Sequence, residues 1–212
     1  MIDSHRMGRE IEIKLNLDSF TNYLKLLGFL GQIEREERHQ NAFFDTEDRK
    51  LAEAGWALRV RAEDNRGLVT IKSIATRSGA ALIRQEMEAE ISRAEAFDCL
   101  ALQRDVMSFP VVPIDYLKDK LGELTLMVLV KFENLRQKKF FKISDHTYVF
   151  EIDKTEFGDG SVDYELEVEL PDTDRLETVD DALRKMFSTL AIPFEHQTDS
   201  KFARALQRAK IY

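Results

Sequence analysis

Polar and apolar residues alternate without a break from Glu10 to Leu17, which predicts a strand with Glu10, Glu12 and Lys14 on one face. Asp18 is then expected to cap a helix carrying Phe20, Tyr23, Leu24 and Leu27, which Gly28 or Gly31 would end. A short strand is read over Asn41–Thr46, running into a polar helical turn. Ala57–Arg61, Leu68–Lys72 and Ile83–Ile91 follow as further alternating strands. In these, Arg59 and Arg61 share a face, and so do Arg84, Glu86, Glu88 and Glu90. Ser92 and Glu95 have the spacing of a capping box for a helix reaching about Gln103. Ile114, Leu117 and Leu121 mark a short amphipathic helix between Pro110 and Gly122. Three strands are then expected, over Thr125–Arg136, Lys138–Ile143 and Tyr148–Asp153, and the Gly158-Asp159-Gly160 turn leads into Val162–Leu170. That last strand sets Glu165, Glu167 and Glu169 opposite Leu166, Val168 and Leu170. Helices over Thr178–Ala191 and after Asp199 complete a chain read as one domain, 1–212, with no repeat or linker.

At 212 residues, with 43% hydrophobic and 33% charged residues, the sequence suits one packed core. Its formal charge of −8 argues against a surface devoted to nucleic acid or anionic membrane, so a polyanion would need a local basic site. No apolar stretch approaches a membrane span and Met1–Arg9 has no apolar signal core, which points to a cytoplasmic protein. The single cysteine, Cys99, falls among Phe97, Leu100 and Leu102 and is read as buried packing.

An antiparallel sheet with one dry and one wet face explains the alternation of any one strand. The set is harder to explain that way, because like charges side by side repel across a sheet. Glu10/Glu12, Glu86/Glu88/Glu90 and Glu165/Glu167/Glu169 are acidic clusters, and Arg59/Arg61 with Lys72 form a basic one. Carboxylates in such number suit a hard divalent cation, Mg²⁺ or Mn²⁺, and paired Arg and Lys suit phosphate oxygens. A polyphosphate carrying its metal satisfies both. His5, His39, His146 and His196 lack metal-ligand spacing and are expected to face solvent. No Gly-rich phosphate loop, nucleophile elbow or metalloprotease motif is present.

Glu10-Ile-Glu12-Ile-Lys14 resembles the N-terminal signature of the CYTH superfamily, the triphosphate tunnel metalloenzymes, which include thiamine triphosphatases, inorganic triphosphatases and class IV adenylate cyclases. The likeness continues in order through Asn41-Ala-Phe-Phe-Asp45-Thr46, Leu58-Arg59-Val-Arg61, Thr70-Ile-Lys72, Arg84-Gln-Glu86-Met-Glu88, Phe132-Glu-Asn-Leu-Arg136, Glu151-Ile-Asp153, Tyr164-Glu165-Leu-Glu167 and Asp199-Ser-Lys201-Phe. Gln103–Thr125 does not align, and Gln40 stands where some triphosphatases have a basic residue.

The resemblance implies an α+β fold, a closed eight-stranded antiparallel β-barrel with flanking helices. It implies that Glu10, Glu12, Glu165 and Glu167 ligate Mg²⁺ or Mn²⁺, assisted by Glu88 and Asp153. Arg59, Arg61, Lys72, Arg84, Arg136 and Lys201 would hold the triphosphate, and Lys14 would contact phosphate or a catalytic partner. Structural ion pairs are the competing role, above all for Asp153, Glu86, Glu90 and Glu169. Were Lys14 and Lys72 adjacent, repulsion would lower one of them and yield a base. The implied activity is hydrolysis of a small-molecule triphosphate by a metal-oriented water. A class IV cyclase is the alternative, although His5-Arg6-Met7-Gly8 lacks the His-Phe pair of those enzymes. A non-catalytic polyphosphate-binding module is a third reading, and a dimer is left open.

Overall fold

A computed structural model describes residues 6–209. Its strands are β1 (Arg6–Asn16), β2 (Arg35–Asp45), β3 (Trp56–Ala62), β4 (Gly67–Ser73), β5 (Thr76–Ser78), β6 (Ala81–Ile91), β7 (Met127–Ile143), β8 (His146–Phe157), β9 (Val162–Glu169) and β10 (Glu195–His196). The helices are α1 (Phe20–Leu30), α2 (Lys50–Glu53), α3 (Arg93–Leu100), α4 (Val112–Leu121), α5 (Leu176–Thr189) and α6 (Lys201–Ala209), with a 3₁₀ turn at Val106–Ser108.

The order β1-β9-β8-β7-β2-β3-β4-β6 returns to β1 through pairing of Arg6–Ile13 with Ala81–Glu88, so eight antiparallel strands close into a barrel. β5 and β10 are short additions at β6 and β1. Closure leaves no unpaired edge among the eight. On most of the strands the apolar face points outward; β2 and β7 are the exceptions, with polar outward residues and with Phe43 and Phe132 turned to the cavity. Ile11, Ile13, Leu15, Phe150, Ile152, Leu166 and Val168 pack under α1 and α5, while Leu58, Val60, Val69, Ile71 and Met87 pack under α3 and α4. The alternating charged residues are thereby left to the interior. Gly67 admits the close approach of α3, since a Cβ there would stand 2.6 Å from the Ala96 Cβ and 2.8 Å from the Ser92 carbonyl oxygen.

Most of the expected elements are present, and the Ser92/Glu95 capping box forms with both of its reciprocal hydrogen bonds. Several readings need correction. Ser19, not Asp18, caps α1 by accepting from the Asn22 N–H, and Asp18 takes a left-handed φ of 61° that turns the chain into the helix. α3 stops at Leu100, where Leu102 adopts φ 61°. The two strands expected on either side of Gln137 are one, because inward Arg136 and Lys138 keep their alternation across an outward Gln137 that accepts from the Tyr23 hydroxyl. β2 begins at Arg35 and not near Asn41, since its first half alternates between two polar sets and shows no hydrophobic period. No helix of the described residues is long and apolar enough to cross a membrane.

Candidate active site

The barrel encloses a cavity of about 600 Å³. Inward positions of β1, β6 and β4 supply Glu10, Lys14, Arg84, Glu86, Glu88 and Lys72, and β3, β2 and β7 supply Arg59, Arg61, Glu37, His39, Asn41, Asn134, Arg136 and Lys138. Glu151, Glu167 and Glu169 come from β8 and β9, and Lys201 enters from α6. Glu12, Asp153 and Glu165 lie deeper, 2%, 0% and 1% exposed.

Asp153, Glu165 and Glu167 converge: one oxygen from each lies within 4.8 Å of the others. Their charges are met by a ring of cations. Arg136 forks onto Asp153 at 2.6 and 2.9 Å, reaches Glu167 at 2.5 Å and also binds Glu151. Lys201 sits 2.7 Å from Asp153 and 2.8 Å from Glu167 and also holds Glu165. Lys14 bridges Glu12 at 3.2 Å and Glu167, and Arg204 of α6 donates to Glu165 at 2.6 Å. Burial alone would raise the Asp153 and Glu167 carboxyls, but Arg136, Lys201 and Lys14 hold them well below the usual carboxylate range.

A second group adjoins it on β1, β6 and β4, with Glu12 shared between the two. Arg84 spans Glu10 at 2.5 Å and Glu12 at 2.8 Å, while Lys72 lies 3.2 Å from Glu10 and 2.9 Å from Glu86. Burial disfavours charge on Glu10, yet Lys72 and Arg84 hold it low. Glu169 is an exposed residue without such partners, yet the desolvation of its carboxyl at the cavity wall and the charges of Glu151, Glu10 and Glu12 push it up to about 7. The third group is basic. Arg59 donates to Thr70 at 3.1 Å and to Glu88 at 3.4 Å, and Arg61 donates to the Asn41 side chain at 3.0 Å. Burial and the neighbouring Arg59 and Arg136 push Arg61 down to about 10, the mark of crowded, desolvated cations.

All the residues expected in the site therefore border the cavity or lie just beneath its wall, but not in the expected grouping. Glu10 and Glu12 pair with Arg84 and stand outside the three-carboxylate convergence, and Glu88 is taken up by Arg59 and Thr70. Asp153, read mainly as a structural ion-pair partner, joins that convergence. The lysine pair does not behave as anticipated: burial favours a neutral Lys14, but Glu12 and Glu167 raise it above its ordinary value, and Lys201 is its foremost like-charged neighbour. His39 is 1% exposed, which corrects the expectation of a solvated side chain. Glu37, Lys138, Glu63 and Arg204 were not singled out, although Glu37 and Lys138 share the parity of Asn41 and Arg136 and could have been found by extending it.

The convergent set of hard carboxylate oxygens fits a divalent cation such as Mg²⁺ or Mn²⁺ and offers no nitrogen or sulfur donor for a softer one.

The sequence matches the model of the CYTH domain over residues 8–205. No curated protein sequence gives a significant match. Among solved structures, a candidate adenylyl cyclase from Hippeastrum, described as having a dominant triphosphatase activity, is 27% identical over 94% of this chain and 96% of its own, with a TM-score of 0.83. A candidate adenylate cyclase from Bacillus halodurans is 24% identical over 93% and 98%, TM-score 0.67, and the PH1819 protein of Pyrococcus horikoshii is 20% identical over 93% and 99%, TM-score 0.59. With the family model spanning nearly all of the sequence on a closed, charge-lined barrel, the chain belongs to the CYTH domain family.

Proposed function

We propose that the chain is a divalent-metal-dependent triphosphatase that releases the terminal phosphate of inorganic triphosphate or of a small organic triphosphate. The observation that carries this reading is the facing of buried, crowded guanidinium groups, Arg59 and Arg61, and convergent carboxylates, Asp153, Glu165 and Glu167, across one cavity. The Hippeastrum relative's described triphosphatase activity supports it. Glu165, Glu167 and Asp153 would hold the cation, with Glu10 and Glu12 as a further carboxylate pair on the neighbouring strand. When bound, the metal supplies Lewis-acid activation of water and neutralisation of phosphate charge. Arg59 and Arg61 would take phosphate oxygens in their planar forks, and Lys72 and Arg84 would exchange Glu10 for phosphate as their anionic partner. Arg136, Lys201 and Lys14 hold the carboxylates in place and remain cationic throughout. Such a site acts by positioning and by charge, which is what phosphoryl transfer chiefly requires of a protein.

Phosphate release from inorganic triphosphate, thiamine triphosphate, ATP and longer polyphosphate, each with Mg²⁺ or Mn²⁺, tests the proposal. Metal-dependent turnover that is lost in folded Glu10→Ala and Glu165→Ala proteins is the expected result. Formation of cyclic AMP from ATP would replace the hydrolase with the cyclase that two structural relatives are named as. Binding without turnover would leave a polyphosphate-binding module.

A further inference from the structure

Among the described residues, four buried side-chain atoms have no hydrogen-bond partner: Nδ1 and Nε2 of His39, Nε of Arg59 and Nδ2 of Asn134. All belong to residues that line the cavity, and all sit on three adjacent strands, β7, β2 and β3. His39 and Asn134 are directly opposite in the β2–β7 register. Thr155 on β8 donates to the Asn134 side-chain oxygen at 2.8 Å, which turns the Asn134 amide nitrogen away from β8. His39 Nε2 lies 3.4 Å from Glu37 and 3.7 Å from Glu63 without aligning as a donor to either. Those carboxylates are engaged elsewhere, Glu37 by Arg35 at 2.7 Å and Lys138 at 3.2 Å, Glu63 by Arg66 at 2.8 Å and Arg61 at 3.6 Å.

Buried polar atoms are nearly always paired, and leaving them unpaired is unfavourable, so four on one wall call for a partner from outside the chain. The Arg59 and Asn134 atoms can only donate, and an imidazole donates through one nitrogen when neutral. Arg61 and Arg136 stand beside His39, so the wall presents both charged and uncharged donors.

We infer that His39 and Asn134 are substrate-binding residues that, beside Arg59 and Arg61, donate uncharged hydrogen bonds to the oxygens of one phosphate group of the triphosphate. This rests on the triphosphatase reading and adds to it two positions that carry no charge. Burial and the nearby Arg61 and Arg136 push the imidazole down from its ordinary range, in keeping with a neutral donor at pH 7. Uncharged donors recognise the acceptor-rich surface of a phosphate without adding cations to a corner that already crowds them.

The experiment measures equilibrium binding of a non-hydrolysable imido analogue of triphosphate, together with KM and kcat for inorganic triphosphate, in the intact chain. His39→Phe keeps a ring and removes both nitrogens. It should weaken analogue binding about fivefold and raise KM more than it lowers kcat, a loss in keeping with one neutral hydrogen bond. Its thermal unfolding temperature should not fall, because atoms unpaired in the free protein have been removed. His39→Gln, which restores an N–H, should recover most of the affinity. Asn134→Asp, nearly isosteric with the donor replaced by a carboxylate oxygen, should weaken binding tenfold or more. Wild-type affinity in both His39→Phe and Asn134→Asp would overturn the inference while leaving the triphosphatase reading intact. A wild-type protein that does not bind the analogue would overturn both.

Discussion

Glu167 is where the ion pairs of the cavity meet, and Glu167→Gln separates its structural from its functional role. Its carboxylate contacts Lys14, Arg136 at 2.5 Å and Lys201 at 2.8 Å, and it is 5% exposed. Removing one partner of an isolated buried pair costs roughly 3–5 kcal/mol. None of these three cations is left alone, however. Lys14 keeps Glu12, Arg136 keeps Asp153 and Glu151, and Lys201 keeps Asp153 and Glu165. Gln also preserves the volume and one hydrogen-bonding oxygen. The cost to the free protein should thus be about 2 kcal/mol, a fall in Tm of roughly 4–8 °C for a chain of this size. The effect on the proposed activity should be larger, since one of three convergent oxygens leaves the cation site: about 100-fold or more in kcat/KM, with a raised metal requirement. Denaturation followed by circular dichroism gives the first quantity, and phosphate release titrated with Mn²⁺ gives the second. Activity within threefold of wild type at saturating Mn²⁺, in a variant destabilised by about 2 kcal/mol, would show that these carboxylates only hold cations in place and would refute the metal assignment.

Arg59→Lys keeps the charge but loses the guanidinium fork that reaches Thr70 and Glu88, and should raise KM for inorganic triphosphate about tenfold while the protein stays folded. Phe202→Ala removes the ring stacked 4.3 Å from Phe43, so α6 should loosen its hold on the barrel at a cost of about 2 kcal/mol by urea denaturation, below the value for a fully buried Phe because Phe202 is only half-buried. Stability should fall as pH drops below about 4.5. Glu10, which Lys72 and Arg84 hold below its ordinary value of 4.5 against burial, has a folded value below its unfolded one, so its contribution is complete above 4.5 and is lost as pH falls through the folded value. Glu169, raised to about 7, acts oppositely: its contribution is complete below about 4.5 and is lost as pH rises through 7, and Glu169→Gln should flatten that upper limb in a urea series at several pH values. Triphosphate and Mg²⁺ should each tighten the other's binding by the same factor, about fivefold or more after correction for the complex they form in solution, and calorimetry showing independent binding would contradict this.

Much of the architecture was legible because a barrel with its core outside and charges inside still alternates with period two. That alternation placed Glu10, Glu12 and Lys14, Arg59 and Arg61, and Glu165 and Glu167 on common faces, and all of these faces are lumenal. It failed where both faces are polar. In Arg35–Gln40 the inward Glu37 and His39 alternate with exposed Glu36, Arg38 and Gln40, so neither β2 nor the burial of His39 could be seen. It failed also at Gln137, where a polar residue pointing out between two inward cations looked like an interruption. The grouping of charges across the lumen depends on strand stagger and on α6, which brings Lys201 and Arg204 to carboxylates on β8 and β9. A one-dimensional pattern carries neither, so Asp153 looked peripheral although it lies at the centre.

The charge balance of the cavity constrains what can enter it. Nine acidic and nine basic side chains line the space, and Glu12, Asp153 and Glu165 lie behind the wall with Arg204, so the free protein has no cationic surplus to offer a polyanion. A triphosphate arriving alone would have to draw Arg84, Lys72 or Arg136 away from carboxylates that would then be buried and unpaired, at several kcal/mol for each broken pair. On the triphosphatase proposal, a polyphosphate arriving with divalent cations would exchange partners instead: Asp153, Glu165 and Glu167 would hold the cation, and Lys72 and Arg84 would give up Glu10 for phosphate oxygens. Until such an exchange, the internal ion pairs would hold both halves of the site in position. The same balance disfavours a bare monoanion, which brings too little charge to separate the pairs, and a bare cation, which would leave the displaced bases without partners. On the proposed function, selectivity for a metal–polyphosphate complex would follow from pairing the two charge sets against each other, without a dedicated phosphate loop.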